Sequence, residues 1–236
     1  MKFFVFIILY LTSLSSIYAE STSPSKGIIA TSNPHASKAA KDIIDKGGNA
    51  IDASVAVQLV LTLTEPQATG IGGGAFMLYW DESTSKLYSV DGREKAPSKV
   101  NENLFLDKNG NKKRFYPDAV VGSQSVGVPG IIKLLEETHK KFGKLPWEDL
   151  FEYAINLAEN GFSVSPALNS ILGYLKPLRE IEPAASFYFI ESPEGIKKPV
   201  PVGYTLKNIE YSKTCLLYTS DAADEGLGVD LGGRRI

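Results

Sequence analysis

The segment that most restricts the fold of this chain is a helix-length run at residues 52–63 that is apolar on all sides. A surface helix carries a single apolar stripe, so a helix that is apolar all round must be buried among other elements. Small residues such as Ala53 and Ala56 let neighbouring elements approach it closely. We therefore expect this helix at the centre of the fold.

The segments around this helix predict a mixture of helices and strands. The sequence pattern predicts a short buried strand at 27–31, an amphipathic helix at 36–46, a hairpin of strands 76–80 and 86–90, and helices at 129–142, at 147–160 and after Ser165. Helices followed by a hairpin and then by more helices indicate an α/β fold with helices layered on a sheet.

The first residues have the pattern of an export signal. Lys2 precedes an apolar run at 3–11, and a small residue, Ala19, follows a polar stretch. We therefore predict a signal peptide at 1–19, a polar lead-in at 20–26, and a secreted or extracellular/periplasmic protein. The apolar run is shorter than the roughly 20 residues that cross a bilayer. An uncleaved N-terminal membrane anchor is the alternative.

The overall composition excludes one class of partner and one kind of cross-link. The 236 residues carry a formal net charge of −2 and show no basic stripe, which argues against nucleic acid as a partner. Cys215 is the only cysteine, so the chain cannot form an intramolecular disulfide. An exported protein of this kind must rely on the packing of its core.

A glycine-rich run at 70–74 precedes the first strand of the predicted hairpin. Glycine runs that cradle phosphate connect a strand to the start of a helix, and they are followed by Gly-Lys-Ser/Thr or an acidic ribose partner. Neither context occurs here, which argues against a nucleotide site. The glycines instead indicate a close approach of this backbone to another layer or to a ligand.

A charged segment, DGREKAP at 91–97, follows the second strand of the hairpin. Arg93 can hold a substrate carboxylate through two parallel hydrogen bonds, which a lysine cannot do. If its side chain points inward and is partly buried, it needs anionic partners, and Asp91 or Glu94 can orient it. On spacing alone, a turn with surface charges is the simpler interpretation, so both stay open at this point.

The sequence offers no self-contained catalytic group. His35 and His139 are the only histidines, they lie far apart in the chain, and no metal-binding pattern surrounds them. His139 lies in a charged helical segment, so we expect it on the surface in contact with solvent. No Gly-x-Ser-x-Gly elbow occurs, and Cys215 has no recognisable partner. The catalytic nucleophile is therefore not identified in this chain.

Several segments together resemble the γ-glutamyltransferase family, also called γ-glutamyltranspeptidases or glutathione hydrolases. The segments are KGGNAIDASVA at 46–56, EPQA at 65–68, GGGAFML at 72–78, DGREKAP at 91–97, GVPG at 127–130, FGKLPW at 142–147 and AENGF at 158–162. Each motif alone is weak, but their order and spacing match the N-terminal part of the family's large subunit. The resemblance runs from about residue 27 to residue 214.

This resemblance implies an incomplete N-terminal-nucleophile hydrolase fold, an αββα four-layer sandwich, of which the chain holds only the large-subunit portion at 27–214. Such enzymes cut themselves into a large and a small subunit, and the new N-terminal threonine of the small subunit attacks the γ-glutamyl amide of glutathione or related γ-glutamyl compounds. Water or an acceptor amino acid or peptide then resolves the acyl-enzyme. The resemblance places Arg93 on the donor's α-carboxylate, makes the protein's own small subunit a partner, and implies neither a metal nor an organic cofactor.

The resemblance stops near Thr214. The family motif around the catalytic threonine does not occur in these residues, and the segment 215–236 has the character of translated adaptor sequence. We therefore predict a foreign or artefactual tail at 215–236 and no turnover by the chain alone. Two alternatives stay open: a related amide acylase, and a non-catalytic secreted binding protein that retains the half-fold.

Overall fold

The computed structural model describes residues 27–219. The predicted signal peptide at 1–19, the lead-in at 20–26 and most of the predicted tail lie outside the described residues. The helices are α1 (Pro34–Asp45), α2 (Ala50–Thr64), α3 (Ile131–Phe142), α4 (Glu152–Asn160), α5 (Pro166–Tyr174), α6 (Ala184–Tyr188) and α7 (Ile209–Thr219). The strands are β1 (Ala75–Asp81), β2 (Lys86–Gly92), β3 (Phe162–Ser163), β4 (Phe189–Glu191), β5 (Lys197–Pro199) and β6 (Thr205–Leu206). No helix within these residues is long and apolar enough to cross a membrane.

The apolar helix α2 lies at the centre of the described fold, as predicted. Helices α1, α3 and α4 pack against it, and α7 packs against α4. Of its fifteen residues only Ala50, at its first position, is exposed. Helix α1 presents the predicted apolar stripe to it. Four residues of this stripe are buried, Ala36, Ala39, Ala40 and Ile43, and the fifth, Ile44, is partly buried. The sequence prediction of a buried core helix is confirmed.

The predicted hairpin is also confirmed, and its two faces differ. Strands β1 and β2 pair antiparallel, with Phe76 opposite Asp91 and Tyr79 opposite Tyr88. The inner face packs on α3, where both tyrosine rings lie 4.8 Å from the ring of Phe142. The outer face leaves large apolar side chains exposed, and these are Phe76, Leu78, Trp80 and Leu87. We call these four residues the outer apolar face.

The predicted strand at 27–31 is wrong. These residues are not part of any strand, and Ile28 is 95% exposed. A strand needs a neighbour to receive its backbone hydrogen bonds. Among the described residues, the strand pairs are β1 with β2, β3 with β6, and β4 with β5, so none is a partner for this segment.

A buried carboxylate joins α2 to the loop that follows α3. Asp52 is 0% exposed and accepts hydrogen bonds from the backbone N–H of Asn49 at 2.9 Å and of Lys144 at 3.0 Å. The side chain of Asn49 in turn caps α2 and donates to the carbonyl of Phe142 at 2.6 Å. The motif segments at 46–56 and 142–147 are therefore in contact, and their polar residues hold the core helices together.

The expectation that His139 is a solvated surface residue is wrong. Its side chain is only 12% exposed. Nε2 lies 2.9 Å from the carbonyl oxygen of Leu145 and 3.4 Å from Oδ1 of Asp52. His139 therefore belongs to the same buried polar cluster.

Helix α7 crosses the predicted domain boundary between Thr214 and Cys215. Cys215 is 1% exposed, and the carbonyl of Tyr218 accepts a hydrogen bond from Nε1 of Trp147 at 2.9 Å. The hydroxyl of Tyr211 donates to the carbonyl of Leu59 at 2.8 Å and ties α7 to α2. The domain boundaries, including a foreign segment at 215–236, stay predictions.

The reactivity of Cys215 offers a direct test of how residues 215–219 are packed. Burial raises the pKa of this thiol to about 11. Only the thiolate attacks a disulfide reagent, so at pH 8 the shift alone should slow labelling by about a hundredfold relative to an ordinary thiol. We expect slow reaction with an aromatic disulfide reagent in the native protein and rapid reaction in urea. The matched control carries Cys215→Ser and Leu217→Cys, which moves the thiol to an exposed position of α7. Equal native rates for the two proteins would show that Cys215 is not packed in the core.

Candidate functional site

Three of the motif segments that are separate in the sequence meet at one end of the hairpin. The carbonyl of Gly73 accepts hydrogen bonds from the N–H of Gly130 at 3.0 Å and of Ile131 at 3.2 Å, where α3 begins. Lys95 and Val128 exchange backbone hydrogen bonds of 3.2 and 2.8 Å. The glycine run, the charged segment after β2 and the GVPG segment therefore form one backbone cluster.

The glycines of this cluster are required by the close packing of its backbones. A Cβ on Gly74 would lie 2.6 Å from the carbonyl oxygen of Gly92 and 2.7 Å from Cα of Arg93. A Cβ on Gly130 would lie 2.3 Å from the same carbonyl oxygen. These neighbours are backbone atoms, which cannot move aside as a flexible side chain can. The prediction that the glycine run permits a close backbone approach is confirmed, and this approach fixes the position of Arg93.

Arg93 lies at the rim of this cluster and is held on several sides. Its Nε donates to Oε2 of Glu94 at 3.0 Å, and its backbone N–H donates to Oδ1 of Asp91 at 3.0 Å. Its Cζ lies 5.7 Å from the centroid of the Phe76 ring. Both predicted supporting carboxylates therefore contact Arg93, although Asp91 holds the backbone and not the guanidinium.

Of the two interpretations that the sequence left open, the described residues agree with a charged turn at the surface, because the Arg93 side chain is 61% exposed. The hydrogen bond to Glu94 uses Nε, so it does not occupy the edge formed by the two Nη atoms. A carboxylate that approaches this edge can accept two parallel hydrogen bonds. The arrangement is therefore suited to binding an anion with two oxygens.

The carboxylate of Glu94 has a lowered pKa, so it stays ionised at a lower pH than an ordinary glutamate does. Its own backbone N–H, the hydrogen bond and charge of Arg93, and the backbone N–H of Gly74 lower its pKa. A group with a lowered pKa keeps its negative charge as the pH falls, so the contact with Arg93 persists into mildly acidic solution. The guanidinium thus keeps one anionic partner through the neutral range.

An open groove of about 510 Å³ runs past Arg93. The groove is lined by the glycine run, by the charged segment after β2 and by the loop before α3. Its lining residues include Gly72, Arg93, Glu94, Ser125 and Gly127. A second cavity, of about 400 Å³, lies between α1 and α4 and contains none of the predicted site residues. The groove at Arg93 is therefore the candidate functional site.

The described residues bring neither a metal site nor a histidine or cysteine to this groove. Within 27–219, no group of three or more histidine, cysteine, aspartate or glutamate side chains is placed to hold a metal ion. His35 and His139 lie away from the groove lining, and Cys215 is buried in α7, which packs against α4. The groove therefore carries an exposed arginine in contact with two neighbouring carboxylates.

A sequence profile of γ-glutamyltranspeptidases matches residues 36–222 of the chain. The chain belongs to the γ-glutamyltranspeptidase family. The matched range contains the glycine run, Arg93 and both of its predicted supports.

Individual members of the family show how much of the protein is present. The chain is 39% identical over 199 residues to the glutathione hydrolase proenzyme of Bacillus subtilis, an alignment that covers 84% of this chain and 33% of that protein. It superposes on the γ-glutamyltranspeptidase of Pseudomonas nitroreducens with a TM-score of 0.74 and 31% identity, covering 86% of this chain and 57% of that one. The chain thus spans between about a fifth and a third of the length of the curated relatives that it matches.

The structural comparison also confirms the fold class. A cephalosporin acylase from Bacillus halodurans superposes with a TM-score of 0.67 and 27% identity, covering 86% of this chain and 39% of that one. These neighbours are N-terminal-nucleophile hydrolases, and the mixture of helices and strands in the chain agrees with that fold. The predicted family and α/β fold class are both confirmed.

The sequence analysis missed Phe76 as a contact of Arg93. A signal for it was present, because the predicted hairpin places Phe76 opposite Asp91 and therefore beside the residues that follow β2. Side chains of directly opposed residues lie on the same face of a sheet. The register of the hairpin, extended by two residues to Arg93, would have found this contact.

Proposed function

We propose that this chain is part of a glutathione hydrolase, a γ-glutamyltransferase that cleaves the γ-glutamyl amide of glutathione and related γ-glutamyl compounds. The enzyme would transfer the glutamyl group to water or to an acceptor amino acid or peptide. The observation that carries the proposal is the position of Arg93 in a chain of this family. Its guanidinium lies at the rim of an open groove, with Nε bound to Glu94 and its other edge directed away from that contact.

In the proposed mechanism, this chain binds the donor and another segment attacks it. Arg93 holds the α-carboxylate of the glutamyl group through its two Nη atoms, and Glu94 fixes the guanidinium. The hydroxyl of an N-terminal threonine, deprotonated by its own free amine, attacks the γ-carbonyl carbon. The amide C–N bond breaks, the leaving amine takes the proton, and an ester joins the glutamyl group to the threonine. Water or the amine of an acceptor then cleaves this ester and regenerates the threonine.

We place this threonine in the protein's own small subunit, a partner produced when the precursor cuts itself. The outer apolar face supports such a partner, because large apolar side chains that lie together in the open indicate a surface that another element covers. Phe76 belongs to this face and lies opposite Asp91 in the hairpin, and Arg93 comes two residues after Asp91. A segment that covers the outer apolar face would therefore bring its own residues next to Arg93.

The two alternatives predicted from the sequence receive less support. An amide acylase whose donor lacks an α-carboxylate would have no use for Arg93 and its supports. A non-catalytic binding protein is less favoured because the matched family and its curated relatives are glutathione hydrolases. We further propose that the protein is exported, on the strength of the apolar run and small residue within residues 1–19.

Turnover by the full-length precursor tests this function. We expect it to process itself into two subunits and to hydrolyse a chromogenic γ-glutamyl anilide, whereas the chain of residues 20–236 shows no turnover because it lacks the nucleophile. The matched substrate is the 4-aminobutanoyl anilide, which differs by the absence of the α-carboxylate. We expect kcat/KM to be lower for this substrate by about a hundredfold, since a charge-assisted carboxylate contact is lost. Faster cleavage of the 4-aminobutanoyl anilide would indicate an acylase instead.

A further inference from the structure

Phe76 occupies an unusual position for a large apolar side chain. It is the second residue of β1, two positions after the glycine run, and it is 64% exposed. Its ring centroid is 5.7 Å from Cζ of Arg93, within the range of about 6 Å in which a cation is attracted to the face of an aromatic ring. Leu78, the next residue on the same face, is not among the described contacts of Arg93.

The contacts of Arg93 restrict its guanidinium in complementary ways. The hydrogen bond from Nε to Glu94 fixes one edge of the guanidinium but still allows its plane to turn about this contact. Cζ also lies over the ring of Phe76, and the attraction between the cation and the face of the ring favours one orientation of the guanidinium plane. A long and largely exposed arginine side chain otherwise samples many rotamers, and ordering them weakens binding.

We propose that Phe76 is a positioning residue for the carboxylate of the donor. Its ring holds the plane of the Arg93 guanidinium so that the edge with the two Nη atoms faces the groove. Phe76 does not touch the reacting atoms, and it acts through Arg93. This inference rests on the proposed function, because it assigns Phe76 to the same glutamyl site. It predicts that Phe76 matters for donors that carry the α-carboxylate and not for donors that lack it.

The test compares Phe76→Leu, which keeps apolar bulk, with Phe76→Tyr, which keeps the ring. Both variants are made in the full-length precursor, and self-processing into two subunits shows that each is folded. For the γ-glutamyl anilide, we expect Phe76→Leu to raise KM by about threefold to tenfold with kcat within about twofold, as loss of a cation–π contact predicts. Phe76→Tyr should restore the original KM. The KM for the 4-aminobutanoyl anilide should not change, a result that general damage to the fold would not give.

The control and the double variant separate the possible outcomes. Tyr174→Leu removes another largely exposed ring, from α5, and should leave KM unchanged. In an Arg93→Ala background, Phe76→Leu should have no further effect on KM, because the group that it positions is gone. If Arg93→Ala raises KM but Phe76→Leu leaves it unchanged, or adds the same factor in both backgrounds, the role of Phe76 is overturned and the proposed function stands. If Arg93→Ala itself leaves KM unchanged, the glutamyl site assigned to Arg93 is overturned with it.

Discussion

Replacing Arg93 by lysine in the full-length protein should raise KM for a γ-glutamyl anilide by about tenfold to a hundredfold. A planar guanidinium can donate two parallel hydrogen bonds to a carboxylate while Nε remains bound to Glu94. The ammonium of a lysine is a point charge on a flexible stem and cannot satisfy both partners in this geometry. The loss of one charge-assisted hydrogen bond, about 1.5–3 kcal/mol, accounts for this range.

The effect should fall on KM and leave kcat within a few-fold. In the proposed mechanism, Arg93 binds the carboxylate at the far end of the glutamyl group, and this contact is the same in the substrate and in the transition state. Steady-state kinetics with the γ-glutamyl and 4-aminobutanoyl anilides measure both constants, and only the first substrate should respond. The matched control is Arg114→Lys, because Arg114 is also exposed and makes a pair with Asp118 through Nε at 2.8 Å. An unchanged KM for Arg93→Lys would remove this residue from the glutamyl site.

The sequence predicted the elements of this site better than their arrangement. The hairpin follows from the two-residue alternation of its strands, and the central helix follows from its uniformly apolar composition, so both were predictable locally. The contact between Gly73 and the start of α3 joins segments that lie more than fifty residues apart, and no periodicity encodes such a contact. The family resemblance listed the motif segments in order, and the structure explains why they occur together.

The error at His139 has a physical cause that the sequence already contained. The neighbouring residues Lys140 and Lys141 suggested a solvated face, but α3 buries Leu134, Leu135 and Thr138. His139 lies four residues after Leu135 and therefore at the edge of this buried stripe. Charge in adjacent residues was a weaker guide than helical spacing, because consecutive residues point in different directions.

The role of Asp52 was also missed, although its signal is local. Asn49 and Asp52 have the spacing of a capping box, in which the first residue caps the helix and the fourth accepts a hydrogen bond from its backbone. The sequence analysis treated Asp52 only as the first residue of an apolar helix. Its contact with residue 144 depends on the tertiary fold, since ninety-two residues separate the two.

Replacing Asp52 by alanine should therefore cause a large loss of stability. The backbone N–H groups of Asn49, Lys144 and Leu145 donate to this carboxylate, and His139 Nε2 lies 3.4 Å from it. Because Asp52 is 0% exposed, water cannot replace the lost acceptor without opening the core. A buried donor left without a partner costs about 1–3 kcal/mol, so we expect the free energy of unfolding to fall by about 3–5 kcal/mol. The total stability of a typical protein is only about 5–15 kcal/mol.

Urea unfolding of the full-length protein, followed by circular dichroism, measures this loss, and two further variants show its origin. Asp52→Asn keeps one acceptor oxygen and the shape of the side chain, so it should lose roughly half as much stability. Asp42→Ala removes an exposed carboxylate of α1 that pairs with Lys38 at 2.7 Å, and it should cost less than about 0.5 kcal/mol. The loss of stability should therefore be largest for Asp52→Ala, intermediate for Asp52→Asn and smallest for Asp42→Ala. This order follows from the burial of each carboxylate and from the number of donors left unpaired. A loss at Asp52→Ala no greater than at Asp42→Ala would mean that the loop after α3 does not depend on this carboxylate.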